Sequence, residues 1–176
     1  MKKTGKIALG GVLGALSLIC MLLTVFPSMT YARPGLAGLV LLPLALEAGP
    51  RWGWASFAVV AVLSFLFAPM PEAKMMFAAF FGYYPVARLW IEKRPFWLRW
   101  TVKLVLFNAA MILSYLLLLS VFHLDPDTFE IGGVNLPWLF LLAGNGVFIV
   151  YDVAIGRIVA LYQARLHKIF ARVFHI

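Results

Sequence analysis

Six apolar stretches alternate with short connectors, and the positive charge falls almost wholly on one alternate set of those connectors. The stretches are Ile7–Phe26, Gly35–Ala48, Trp52–Ala68, Met75–Trp90, Leu104–Phe122 and Leu136–Tyr162, each with few or no charges inside its apolar run. A helix needs about 20 apolar residues to cross a bilayer, so these runs leave little chain for a domain in water. Inside the hydrocarbon layer every backbone N–H and C=O must be satisfied within its own segment, which a helix does unaided. The runs are rich in Gly, Ala and Leu and lack the two-residue alternation of a membrane barrel. They predict an all-α fold, with residues 1–176 forming a single bundle of six transmembrane helices.

Composition points the same way, because 64% hydrophobic against 12% charged residues leaves too little polar surface for a water-soluble globule. The single cysteine, Cys20, has no second thiol for a disulfide or a metal site and reads as a small packing residue. The net charge of +8 is spread over span ends rather than gathered on one helix face. That distribution points to the lipid bilayer and away from nucleic acid.

Charge also orients the chain. Lys2, Lys3, Lys6, Arg51, Lys93, Arg94, Arg99, Arg165, Lys168 and Arg172 fall on one side, against Arg33 and Lys74 on the other. The last loop of the poorer side carries Asp125, Asp127 and Glu130 with no Lys or Arg. The positive-inside rule then puts both termini in the cytoplasm. A competing reading makes the first span a signal peptide, with Lys2–Lys6 as its charged region and Thr30-Tyr31-Ala32 as a loose cleavage site. The apolar run exceeds the usual length of about 7–15 residues for such a core, which favours a retained helix.

In the first span small residues recur at four-residue spacing, as Gly10/Gly14 and Gly11/Ala15. Small side chains let helix backbones approach closely, a main source of association in lipid. The face serves either packing within the bundle or an outside partner. Span two ends at Glu47, Gly49, Pro50 and Arg51, a tight turn that Gly-Pro imposes. Span four places Tyr83, Tyr84 and Pro85 side by side after Phe80-Phe81-Gly82. Pro85 removes the amide bond to the residue-81 carbonyl, predicting a kink and an acceptor for a buried tyrosine hydroxyl. The connector Ile91–Lys103 mixes cations with Phe96, Trp97 and Trp100, as suits a segment in the headgroup layer or a plain topology anchor. Glu47, Arg88, Lys103, Asn108, Asp152 and Arg157 fall in the cytoplasmic third of that topology. Polar groups at such depth face the bundle interior, so these six predict a charge network between helices, as a bundle fastening or a docking surface.

The sequence offers little for catalysis. His123, His167 and His175 lie outside the apolar runs without metal-ligand spacing, and no nucleophile elbow, phosphate loop or Cys-x-x-Cys is present. These absences predict no enzyme, no cofactor and no metal. Active transport by such a chain would draw on an ion gradient or a separate ATPase, and 176 residues without an evident inverted repeat suit a dependent subunit.

The run Lys6-Ile7-Ala8-Leu9-Gly10-Gly11-Val12-Leu13-Gly14-Ala15, and the turn from Leu42-Pro43-Leu44 through Gly49-Pro50-Arg51-Trp52-Gly53, resemble the substrate-capture S components of energy-coupling factor transporters. The likeness in architecture covers nearly the whole chain. In that family the first-helix motif is usually Ala-xxx-Ala, where this chain has Gly11-xxx-Ala15 or Gly10-xxx-Gly14. The resemblance implies capture of a vitamin or other micronutrient outside the bacterial cytoplasmic membrane. Docking of Gly10, Gly11, Gly14 and Ala15 on a coupling membrane subunit driven by paired ATPase subunits is implied with it. A pocket between helices four, five and six toward the outside would use Tyr83, Tyr84 and Asn145, with Arg33 and Lys74 at its gate. The alternative is a membrane scaffold or assembly protein without a small ligand, acting through helix contacts.

The charge count yields a topological prediction. With Cys introduced at Thr128 and at Gln163, an impermeant thiol reagent on intact cells labels position 128 and not 163. The opposite pattern would overturn the orientation.

Overall fold

The computed structural model describes residues 3–25, 32–121, 130–131, 134–135 and 137–166. Lys2, the acidic loop of Asp125 and Asp127, the Thr30-Tyr31 half of the cleavage reading, Lys168, Arg172 and all three histidines lie outside them. Among the described residues seven α-helices follow one another: α1 (Lys3–Leu22), α2 (Ala32–Glu47), α3 (Pro50–Phe67), α4 (Pro71–Met76), α5 (Tyr84–Ile91), α6 (Phe96–Val121) and α7 (Pro137–Leu161). One two-residue antiparallel pairing, Glu130–Ile131 with Val134–Asn135, sits between α6 and α7.

Among the described residues four stretches are long and apolar enough to cross a membrane: Lys3–Val25, Pro50–Phe67, Phe96–Leu117 and Leu141–Ala164. Their outward faces stay apolar; Leu66, Leu142 and Val150 are 69%, 70% and 70% exposed. Helices hydrophobic all round belong in lipid rather than water. The stretch Gly35–Ala48 lies in α2 except for Ala48, just past its end; α2 has 16 residues with Pro43 inside it. The stretch Met75–Trp90 is not one helix. It passes from α4 through a π-helical turn, Phe77–Phe81, and a bend at Gly82 and Tyr83 before α5 starts with Pro85 in its first turn.

Turn chemistry sets the hairpin of α2 and α3. Gly49 takes φ +99°, a left-handed conformation that costs a side-chain-bearing residue about 1 kcal/mol or more. Pro50 then fits the first turn of α3, where its missing N–H is no loss. Leu9 and Leu13 of α1 pack on Leu44 and Ala48, and Met21 packs on Ala37, Leu41, Val60 and Ala68. So α1 runs antiparallel to α2 and parallel to α3. Ser17, fully buried, donates to the Ala37 carbonyl at 2.8 Å.

The other core is aromatic. Phe80, wholly buried, stacks on Tyr84 at 4.5 Å and meets Phe107 and Phe148 edge-on at 5.2 and 5.5 Å. Phe107 and Phe148 stack on each other at 4.7 Å, which joins α6 to α7. The π-helical turn aims the next ring elsewhere: Phe81 packs edge-on to Tyr151 at 5.2 Å and lies against α2. Its carbonyl presses on Gly38, so the acceptor set free above Pro85 is covered by a glycine backbone rather than by a tyrosine hydroxyl. These pairings bring Lys3, Lys6, the Gly49 turn, the Glu92–Arg99 connector and Tyr162 to one end of the bundle, and Arg33 and Lys74 to the other.

Gly38 is the closest approach. A Cβ there would sit 1.9 Å from the Phe81 carbonyl oxygen, whereas at Gly10 the nearest atom is the Ser56 hydroxyl at 3.6 Å. Gly38→Ala should therefore cost about 1–3 kcal/mol or more through overpacking, while Gly10→Ala is tolerated. Thermal unfolding in detergent, followed by size-exclusion fluorescence, separates the two; equal melting would show that α2 can move away from the turn.

Candidate functional site

Tyr84, Arg88 and Glu92 follow one another at four-residue spacing, so they share a face, and that face meets α7 and the start of α6. Asp152 of α7 is the centre. It accepts from the Tyr84 hydroxyl at 2.6 Å and from Arg88 Nε at 2.7 Å on Oδ1, and from Lys103 Nζ at 2.7 Å on Oδ2. Lys103 also donates to Glu92 Oε1 at 2.7 Å. Arg88 Nη2 reaches the same carboxylate at 2.9 Å, and Arg99 Nη1 takes its other oxygen at 2.7 Å. The Lys103 and Asp152 side chains are 1% and 4% exposed.

Three cations thus share two carboxylates, and one positive charge remains on this cluster. Burial opposes ionisation of Glu92, but the hydrogen bond from Lys103 and the charges of Arg88, Lys103 and Arg99 outweigh it and hold its carboxyl below the usual range.

Further along the same α6–α7 seam, Asn108 and Asn145 exchange two amide hydrogen bonds at 2.9 Å. Each amide also donates to the carbonyl four residues back, Leu104 and Leu141, at 2.8 Å. At the periphery Tyr162, in the π-helical turn that follows α7, donates to Glu47 at 2.9 Å and Tyr151 of α7 to the Gly35 carbonyl at 3.1 Å, so this end of the chain is tied to α2 at two levels. Arg157 lies exposed on α7, and no ion pair joins it to the cluster among the described residues.

Of the six residues expected to form the network, Arg88, Lys103 and Asp152 therefore come together, Asn108 joins Asn145, and Glu47 joins Tyr162. Glu92, Arg99 and Tyr84 are the members that sequence reasoning did not place there. The signal for Glu92 was its spacing of four from Arg88, the helical distance for an ion pair.

The residues expected to bind substrate go to separate partners. Tyr83 stacks on Trp54 at 5.6 Å and lines an apolar groove, Tyr84 is bound to Asp152, and Asn145 to Asn108. Arg33 donates to the Leu23 carbonyl and Lys74 to the Phe65 carbonyl at 3.2 Å. Both acceptors lie at the carboxyl ends of their helices, where carbonyls lack an intrahelical donor. The small residues of α1 divide as well. Gly10 and Gly14 face Ser56 and Val60 of α3, whereas a Cβ at Gly11 would meet nothing within 4 Å and Ala15 is exposed.

Chemically, the cluster is a fastening for three helices: every carboxylate oxygen in it has a cationic donor. Among the described residues no three His, Cys, Asp or Glu side chains gather as metal ligands. No protein-family model, curated protein or solved structure matches the chain.

Removing one partner of a buried pair leaves the other uncompensated, at about 3–5 kcal/mol. Lys103→Met should lose that much, because both Asp152 and Glu92 lose a donor, and Tyr84→Phe should lose about 1.5–3 kcal/mol, the range for a bond to a charged acceptor. Because the Glu92 carboxyl is depressed, its contribution is present above its unfolded pKa and fades as pH falls through the folded one. Melting curves of wild type, Glu92→Gln and Lys103→Met across acid pH check this. A Glu92→Gln protein that loses stability in acid as steeply as wild type would remove Glu92 as the source.

Proposed function

We propose that this chain is a six-span, dependent subunit of the bacterial cytoplasmic membrane, with both termini inside. It captures a micronutrient for uptake and is driven by a separate coupling membrane protein and its ATPases. The observation that carries the reading is the division of the first helix. Gly10 and Gly14 are used up against α3, while Gly11 and Ala15 remain open on a helix whose neighbours are already in place. A close-approach face turned outward suits a partner helix. The buried ion cluster supports the same reading, because a subunit that rocks against a coupling protein as a rigid body needs its own helices held in register. The charge imbalance between the bundle ends supports the orientation.

A scaffold without a small ligand is the second reading, and one observation favours it. Tyr84 and Asn145, the polar groups best suited to a ligand, are bonded within the protein. On the capture reading, a ligand engages Tyr83 and the groove beside it, with Asn145 in support.

Gly11→Leu or Ala15→Leu should abolish copurification of the partner membrane protein, with melting of the isolated subunit unchanged, because neither side chain is packed inside. Unchanged copurification in both variants would sink the docking face. Native mass spectrometry of the purified protein distinguishes capture from scaffold: a bound small molecule retained by wild type and weakened several-fold in Asn145→Ala supports capture, and its absence supports the scaffold.

A further inference from the structure

The bend between α5 and α6 carries more cation than the ion cluster uses. Glu92, the acidic side chain of this bend, is already held by Arg88, Lys103 and Arg99, and Asp152 by Arg88 and Lys103. Lys93 and Arg94 are left exposed, with no side-chain hydrogen bond or ion pair among the described residues. Aromatic surface surrounds them: Trp90 is 60% and Trp97 83% exposed. Trp90, Lys93 and Arg94 line one shallow recess.

A separate apolar groove lies toward the start of α5. Tyr83, Ala87 and Trp90 follow one helical face, with the Ala87 N–H bonded to the Tyr83 carbonyl. Tyr83 is also one wall of an open groove of about 620 Å³, whose opposite wall is the α6 line Thr101, Val105 and Ala109. The groove runs down the flank of the span Phe96–Leu117, and the cations sit at the end of that span.

We propose that recess and groove together bind one anionic phospholipid. Its phosphate lies on Lys93 and Arg94, the Trp90 indole sits at the level of the glycerol, and one acyl chain follows the groove between Tyr83 and Ala109. Two unneutralised cations favour a headgroup of net negative charge, because a choline would bring a like charge to the same place. Indoles occupy the boundary between headgroup and chain. A free phosphate would satisfy the cations but leave the groove unfilled, which is why a lipid is the fitting occupant. The inference does not rest on the transport reading, and a lipid chain in the groove would compete with the small ligand that reading places beside Tyr83.

The test uses full-length protein in mild detergent, with phosphatidylglycerol and phosphatidylcholine of identical chains counted by native mass spectrometry. One phosphatidylglycerol should be retained at about thirtyfold lower concentration than phosphatidylcholine, as two surface cations of about fivefold each would give. Lys93→Gln/Arg94→Gln should erase the preference, whereas Lys3→Gln/Lys6→Gln, removing equal charge at the same end, should keep it. Ala109→Trp, which fills the groove, should weaken both lipids. Glycerol phosphate should fail to displace the lipid. Equal binding of the two lipids, a preference that survives Lys93→Gln/Arg94→Gln, an equal loss in the Lys3→Gln/Lys6→Gln protein, unchanged binding in Ala109→Trp, or full displacement by glycerol phosphate would each overturn the site.

Discussion

One ammonium group holds three elements in register. Lys103 is 1% exposed and lies within 2.7 Å of carboxylates from the end of α5 and from the middle of α7. In water such a contact contributes little, since solvent screens it and side-chain entropy opposes it. Buried, with its partners also bonded to Arg88, Arg99 and Tyr84, it admits no easy exchange of partners. A shift of α6 by one turn would strand Lys103 among apolar side chains and leave Asp152 short of a donor. The rest of the seam agrees with that register: Phe107 stacks on Phe148 one turn along both helices, and Asn108 pairs with Asn145 beyond it.

Lipid tails are as apolar as leucine, so helices in a bilayer gain little by hiding leucine from their surroundings and must associate by close packing or polar contact. This chain uses both means, in different halves. The first three helices associate through small residues, with Gly10 and Gly14 against α3 and the Ser17 hydroxyl on the α2 backbone. The last three associate through charge, amide and aromatic contacts. The π-helical turn joins the halves: its wide turn sends Phe80 toward α6 and α7, and Phe81 toward Gly38 of α2. A regular helix through residues 77–81 would alter the relative direction of those two rings, and a larger residue at position 38 would hold the halves apart.

The apolar runs were legible because twenty-residue hydrophobicity is a strong one-dimensional signal, and the boundaries of α3 and α7 follow the runs within a few residues. The division of the fourth run was only half legible. Pro85 announced a break, but a π-helical turn depends on the fit of Phe80 and Phe81 to other helices, which no local pattern encodes. Direction was the harder matter. Gly10/Gly14 and Gly11/Ala15 are equivalent as spacings, and only the assembled bundle shows that one pair meets α3 and the other is left exposed. The Arg88, Lys103 and Asp152 cluster could be anticipated from the cost of placing charge in an apolar run. That the Tyr84 hydroxyl turns to Asp152 rather than to a ligand required the packing of Phe80 on its ring.

Charge does different work at the two ends of the bundle. At the sparse end, Arg33 and Lys74 give their hydrogen bonds to backbone carbonyls near the carboxyl ends of α1 and α3, where a cation also meets the negative pole of the helix dipole. At the rich end the dipole of α6 points the other way. Its amino-terminal turns carry Arg99 and Lys103, an unfavourable placement for cations that Glu92, just before the helix, offsets. Glu92 therefore acts twice, as counter-ion to three cations and as the negative charge that the start of α6 favours. Because that single carboxylate is fully engaged, the neighbouring Lys93 and Arg94 keep their charge for whatever lies outside the bundle. In a membrane, the phosphates of the lipid layer stand at that level.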